Sequence, residues 1–365
     1  MDNKTNTSSE LTIDDTLFGL KNLDRGPMFM ESFYYEIAPI FRNSVIIVGV
    51  FGVIANILTL VVYVKMGFSE TIHMSYVALA VSDLGCVLTI LWMRICYSLL
   101  VEEIFRTFQM RVDTGLLANF TGGWPNNAFS RTTALLTAWV SLERCISVNF
   151  PTKVKIMITP KVTKVVLTVI YIIGCCPVIF VYVGLTTVMN FDPVSNYTTL
   201  LLHYNSGNRL TNINRFVFVL YGVIYPLASW ILVTICAAFL IVKLKRSLRW
   251  RAANSRSFSR TSESKATSGQ RKPSNRESRV NRTVVMIACA FIIFTSPSAI
   301  SIFVALNWRE FSLNGSLHYP FMLCMSISFL FTEINSSINV IVYAITGSKF
   351  RSALLQLLPK KCCGN

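Results

Sequence analysis

Charge is scarce in this chain of 365 residues: only 14% of them are Asp, Glu, Lys or Arg, against 53% hydrophobic, at a mean hydropathy of +0.52. That balance is foreign to a soluble domain of this length and excludes an ordinary globular enzyme or a soluble nucleic-acid binder. Histidine is nearly absent. The three present, His73, His203 and His318, fall in separate parts of the chain and do not make one metal site, which removes a metalloenzyme. Internal repeats and matched helix breaks, the marks of many transporters, are missing too. Residues 1–40 lack a basic-then-apolar start, so no cleavable leader is expected. Ten cysteines are present, but Cys86, Cys96, Cys145, Cys175, Cys176, Cys236, Cys289 and Cys324 lie in or beside apolar stretches, where they read as buried thiols. No disulfide is expected.

What the chain does have is seven apolar stretches, at about 43–64, 75–100, 120–148, 164–186, 216–242, 283–307 and 319–345. A hydrocarbon core about 30 Å thick needs about 20 apolar residues in helix. Backbone groups there find no water and must pair within each segment, so helices are nearly forced. The sequence predicts an all-α, multi-pass membrane protein.

The basic residues predict its orientation. Between the fifth and sixth stretches, Lys243 to Arg282 carry thirteen Lys/Arg against two acids, Glu263 and Glu277. Lys153, Lys155, Lys161 and Lys164 follow the third stretch, and Lys349, Arg351, Lys360 and Lys361 the seventh. All these segments share one side, which the positive-inside rule makes cytoplasmic. The N-terminus is then expected outside, the C-terminus inside, and the first span acts as the anchor that translocates the N-terminus. Glycosylation sequons at Asn3, Asn6, Asn119, Asn196 and Asn314 fall on the expected outer side, consistent with a plasma-membrane glycoprotein.

Two further segments invite modification. Cys362 and Cys363 end a short amphipathic stretch, Lys349 to Leu358, as a juxtamembrane palmitoylation site would, pinning that helix to lipid of the inner leaflet. The Ser/Arg-rich loop at about 246–278 lacks apolar periodicity and is expected to be disordered. Within it Ser259 and Ser274 resemble basophilic kinase sites, whose phosphorylation would favour an arrestin-like partner.

Polar residues inside the apolar stretches carry the functional signal, because each is costly in lipid and needs a reason. Asn56 lies in Gly-x-x-x-Asn from Gly52, Asp83 in Leu-Ala-Val-Ser-Asp, and Arg144 in Glu-Arg-Cys with Pro151 seven residues later. Pro226 breaks the fifth stretch and Pro297 the sixth, with Phe291 six residues before it. The seventh reads Asn339-Val-Ile-Val-Tyr343, with Phe350 seven residues on. In their joint spacing these motifs resemble the rhodopsin-like G-protein-coupled receptors, a divergent member of the invertebrate neuropeptide or chemosensory kind.

The resemblance implies a seven-helix bundle over 43–348, after an extracellular segment 1–42 and before an amphipathic eighth helix and tail at 349–365. It implies that Asp83, Thr133, Asn335, Ser336 and Asn339 form a pocket for an allosteric sodium ion, though a hydrogen-bonded knot that aligns helices would use the same residues. No other metal and no cofactor are implied. Glu143 and Arg144 match the switch at the inner end of the third helix, Arg144 being the residue that docks a heterotrimeric G protein. Glu277 stands where the family offers an acid to that arginine, although it also reads as a solvated charge. Phe291, Pro297 and Tyr343 belong to the same switch.

Departures matter as much. No cysteine is placed for the family's bridge between the third helix and the second outer loop, so the outer face is organised some other way. Phe294-Thr295-Ser296-Pro297 replaces the usual Cys-Trp-x-Pro, and Val340 stands where Asn-Pro-x-x-Tyr has proline. The third span has no acid to anchor an amine ligand. The seventh has no lysine for a retinal Schiff base; Glu333 is there instead. Arg94 and Arg131 are unusual in spans, and guanidinium groups grip carboxylates in bidentate fashion. With Glu333 they form either an internal pair or a pocket for a zwitterionic or acidic ligand. The expectation is a receptor, not an enzyme, for an extracellular ligand, most simply a short neuropeptide; a chemosensory receptor for small acids is the alternative, and a transporter a weaker one.

Overall fold

A computed structural model describes residues 13–68, 70–108, 110–112, 114–183, 185–192, 197–204, 208–258, 275–312 and 315–357. The first helix, α1 (Ile13–Met66), ends where Gly67 adopts φ +76°, a left-handed conformation open to glycine at no steric cost. Next come α2 (Thr71–Cys96), α3 (Leu99–Thr107), the short strand β1 (Met110–Val112) and α4 (Thr114–Ala118). A π turn at Asn119–Gly123 leads from α4 into α5 (Trp124–Asn149). After α6 (Val154–Met157), α7 (Pro160–Cys175) opens on an N-cap, the Thr159 hydroxyl accepting from the Val162 amide at 3.2 Å, with Pro160 at its first position. α8 (Ile179–Tyr182), β2 (Leu185–Asp192), β3 (Tyr197–Tyr204) and α9 (Asn208–Val219) follow. Another π turn, Leu220–Ile224, precedes α10 (Tyr225–Phe258), and then come α11 (Asn275–Asn307), α12 (His318–Thr346) and α13 (Ser348–Leu355).

Six stretches among the described residues are long and apolar enough to cross a bilayer: Met30–Met66, Thr71–Cys96, Pro160–Tyr182, Arg215–Arg246, Arg279–Asn307 and His318–Thr346. The remaining helix of the seven-helix bundle, α5, spans about 39 Å at 1.5 Å per residue. It is less apolar because its neighbours α2, α7 and α10 enclose it, so little of it needs to match lipid. Three of its buried hydroxyls are satisfied within the helix: Thr132 donates to Ala128, Thr137 to Thr133 and Ser141 to Thr137, each at 2.9 Å.

The chain divides into two compact units. The larger, Ile46–Ser296 with Phe331–Asn365, holds most of the bundle. Its core gathers Val62, Leu79, Leu136, Val140, Leu240 and Val284. Alanines at 134, 138, 237 and 288 bring α5, α10 and α11 close around Phe291. Large apolar side chains such as Ile47, Val165, Ile235 and Ile293 are mostly exposed, as a surface solvated by acyl chains requires. The smaller unit, Met1–Val45 with Pro297–Leu330, contains a turn closed by the Leu317 amide on the Glu310 carbonyl (3.0 Å) and a T-shaped Phe311–Phe321 pair.

Several boundaries differ from the sequence reading. Residues 246–258 and 275–278, expected in a disordered loop, are helical, since α10 and α11 continue past their apolar stretches. Residues 13–42, expected in an N-terminal segment, belong to α1. The second span stops at Cys96 and the fourth at Tyr182, because Leu185 already begins a strand.

That strand is part of a small sheet the sequence did not announce, in the order β1-β3-β2. β2 and β3 form an antiparallel hairpin, Leu185 opposite Tyr204 through Asp192 opposite Tyr197. β1 pairs parallel to β3, Met110 with Thr198 and Val112 with Leu200. The segment leading to α5 is thus tied by backbone hydrogen bonds to the segment after α8, the connection a disulfide makes in the resembling family.

Candidate functional site

One face of α2, stepping by three and four residues, presents Asp83, Cys86, Ile90 and Arg94. A face of α12 presents Glu333, Ser336, Asn339 and Tyr343 by the same arithmetic. α5 contributes Asn126, Arg131, Thr133, Glu143 and Arg144. All belong to the larger unit.

At the centre Asp83, fully buried, is saturated on both oxygens: Thr133 donates to Oδ1 at 2.9 Å and Asn339 to Oδ2 at 2.7 Å. Thr133 also lies 3.0 Å from the Ser82 hydroxyl, which itself donates to the Phe129 carbonyl at 2.9 Å. The buried Ser336 hydroxyl faces Asp83, and Asn335 is buried one position before it. Asn56 fixes the surroundings by donating to the carbonyls of Gly52 (2.9 Å) and Ser336 (2.8 Å), joining α1 to α12. Gly52 is required at that crossing, because a Cβ there would collide with the Ser337 side chain. The arrangement brings together Asp83, Thr133 and Asn339 of the expected ion pocket through direct bonds. A buried carboxylate ringed by hydroxyl and amide oxygens is an oxygen-donor set suited to a hard monovalent cation.

At one end of the bundle Glu143 is fully buried and accepts three hydrogen bonds: from Thr71 (2.7 Å), Ser75 (2.9 Å) and Arg144 (3.0 Å). One guanidinium nitrogen of Arg144 pairs with Glu143 at 3.0 Å. The Glu277 side chain lies outside the described residues. Beside this pair Tyr63, Tyr76, Tyr343 and Phe350 interlock, with ring centroids 4.8–5.5 Å apart. Phe350, opening α13, is thereby buried against Tyr63 and Tyr343.

Toward the sheet end sits Glu333, which is 0% exposed, and neither of its oxygens has a hydrogen-bond partner among the described residues. The positive charge that bears on it is Arg94. The Nε of Arg131 is likewise buried and unpaired among them. Asn126 secures this region by donating to the Cys86 carbonyl (2.9 Å) and lying 3.3 Å from the Thr89 hydroxyl.

Proline positions explain the helix irregularities. Pro297 leaves the Ile293 carbonyl without its amide, and the Ser296 hydroxyl takes its place at 2.8 Å. Pro125 and Pro226 each sit two residues past a π turn, Asn119–Gly123 and Leu220–Ile224, which absorbs the missing bond. Phe291 is buried between α5, α10 and α11, one turn and a half before Pro297.

Sequence reasoning missed Thr71, Ser75, Ser82 and Asn126. Asn126 was findable as an amide in an apolar stretch; the hydroxyls were not, because Ser and Thr in helices so often bond their own backbone. Of the expected modification sites, Asn119 is exposed, in the first π turn. Asn3, Asn6, Asn196, Asn314, Ser259, Ser274, Cys362 and Cys363 lie outside the described residues. The eight described cysteines are all unbridged.

Known proteins agree with this architecture. Over 228 residues, 62% of the chain, it is 24% identical to a protein of Mizuhopecten yessoensis named as a Gq-coupled rhodopsin, and the match spans 42% of that relative's length. Residues 43–361 match the family described as serpentine type seven-transmembrane G-protein-coupled chemoreceptors, Srw. With the motifs and helices above, this chain belongs to that receptor family, as a divergent member with rhodopsin-like character.

Proposed function

We propose that this receptor sits in the plasma membrane with its N-terminus outside, binds a short, zwitterionic peptide between Arg94, Arg131 and Glu333, and signals through a heterotrimeric G protein at Arg144. The observation that carries the ligand class is Glu333. A buried carboxylate without donors costs several kcal/mol, and a cationic group on a ligand supplies what it lacks. Arg131 offers the complementary group for a ligand carboxylate. No lysine occurs in α12, so a retinal Schiff base is excluded despite the rhodopsin relative.

The switch follows from the two saturated carboxylates. Glu143 holds Arg144 back from a partner, and separation of the helix ends would free it. A sodium ion held by Asp83, Thr133, Asn335, Ser336 and Asn339 would add positive charge at the centre and favour the resting arrangement. Coupling to Gq is the first subtype to test, given the relative's name. Phosphorylation of the third inner loop then recruits an arrestin-like protein, and palmitoylated Cys362 and Cys363 anchor the tail in lipid. The family's description as chemoreceptors favours a second reading, a small acidic molecule as ligand, with the same arginines as its anchor.

A second-messenger screen, calcium and cyclic AMP together, in cells displaying the chain at the surface tests both. Pooled short peptides are expected to give a calcium response. A response to small carboxylic acids alone would replace the peptide reading with the chemosensory one.

A further inference from the structure

Between the end of the second span at Cys96 and the strand β1 lies α3 (Leu99–Thr107), which contributes no residue to the sites described. Nine residues make a helix about 14 Å long, too short to cross a bilayer. It is strongly amphipathic. Leu100, Ile104 and Phe108 follow one another at one-turn intervals, the last just past the helix end, and are 68%, 46% and 69% exposed. Val101 and Phe105, on the neighbouring flank, are part-buried, so protein covers that side and leaves the stripe bare. Glu103 and Thr107 are exposed on the other flank, where the Thr107 hydroxyl donates to the Glu103 carbonyl at 2.9 Å. Three large apolar side chains aligned on an exposed stripe mark an interaction surface.

The span before α3 identifies what meets that stripe. Leu88, Trp92 and Ile95 form an exposed apolar face of α2, the face that acyl chains solvate. Trp92 and Tyr97, both about half exposed, mark the level where the span reaches the headgroups, since amphipathic rings collect there. Tyr97 and Ser98 alone separate the span from α3, so the stripe begins at headgroup level and continues the lipid-facing side of α2. We propose that α3 is an interfacial helix seated on a zwitterionic lipid surface, with Leu100, Ile104 and Phe108 among the acyl chains and Glu103 and Thr107 among the headgroups. A carboxylate on the rim suits a zwitterionic leaflet better than an anionic one. The consequence lies in the sheet. β1 begins at Met110, three residues after α3 ends, and pairs with Thr198–Leu200 of β3. Moored on lipid, α3 fixes the near end of β1 and, through it, the hairpin. Assigning the seat to the outer leaflet rests on the proposed orientation; the seat itself does not.

The test uses the full-length receptor in phosphatidylcholine nanodiscs, with a fluorescent amino acid incorporated at position 104 or, as the control on the polar flank, at position 103. Lipids brominated along the acyl chain quench a fluorophore in the bilayer, and iodide quenches one in water. Quenching by bromolipid is expected to be at least about threefold stronger at 104 than at 103, with iodide in the reverse order. In the double variant Leu100→Gln, Phe108→Gln the label at 104 is expected to lose at least about half of its bromolipid quenching. Amide hydrogen exchange at 110–112 and 198–200 is then expected to quicken by about threefold or more, while exchange in α5 stays unchanged and shows the bundle intact. Iodide quenching at 104 equal to or above that at 103 overturns the proposal. So does protection of 104 from both quenchers, which means that a protein segment or a second copy covers the stripe. Unchanged sheet exchange in a variant that has lost its bromolipid quenching overturns the mooring of the sheet.

Discussion

Glu143 and Glu333 are both completely buried in the larger unit, yet their surroundings are opposite. Glu143 takes three donors, two of them hydroxyls from α2 and one the neighbouring arginine. Glu333 takes none from the described residues. A carboxylate removed from water is tolerable when donors replace the water, and strongly unfavourable otherwise. The contrast separates two jobs: a saturated acid holds a switch closed, whereas an unsaturated one leaves free energy that a ligand cation recovers on binding. Asp83 lies between them in position but resembles Glu143 in having both oxygens satisfied.

Three experiments break or sharpen that contrast. Arg144→Ala carries the largest effect: agonist-evoked signalling is expected to vanish while surface expression persists, and full signalling from a well-expressed variant would remove the role given to Arg144. Next is Glu333→Gln. Agonist potency is expected to fall by about tenfold or more, since a buried charge pair with the ligand is lost, whereas thermal stability holds or rises because a buried carboxyl without hydrogen-bond donors among the described residues has gone. The same exchange at Glu143 lowers stability, as an amide NH2 replaces one of the two oxygens that accept from Thr71 and Ser75 and the charge facing Arg144 is lost. Parallel losses of stability at both positions would erase the distinction between them. The smallest effect is at Asp83: added sodium is expected to weaken agonist binding in the unmodified receptor but not in Asp83→Asn. An equal sodium response in both reduces the central cluster to a helix-aligning knot.

The helices were legible because lipid leaves the backbone no alternative, so length and apolarity alone marked them. The third was read correctly, although the structure shows it to be the least apolar, because several of its polar residues are small hydroxyls that bond their own helix. Arg144, Asp83 and Asn339 were legible as polar residues at costly depth. The three-stranded sheet was not, since β1 pairs with β3, more than eighty residues further along the chain. The contact between Glu143 and Arg144 was not, although both were assigned to the switch: adjacent residues on a helix point to different sides, so sequence does not say that the acid turns back to the arginine.

By itself the sequence determined a seven-helix membrane receptor, because apolar length, sequons, the distribution of Lys and Arg and the spacing of intramembrane polar residues are all one-dimensional properties. Only the tertiary structure decided which of those polar groups are satisfied. Thr71 and Ser75 reach Glu143 from 72 and 68 residues away, and Asn339 reaches Asp83 from 256. Whether a buried charge has its donors is a matter of three-dimensional neighbours, and it is that which separates the switch at Glu143 from the open demand at Glu333.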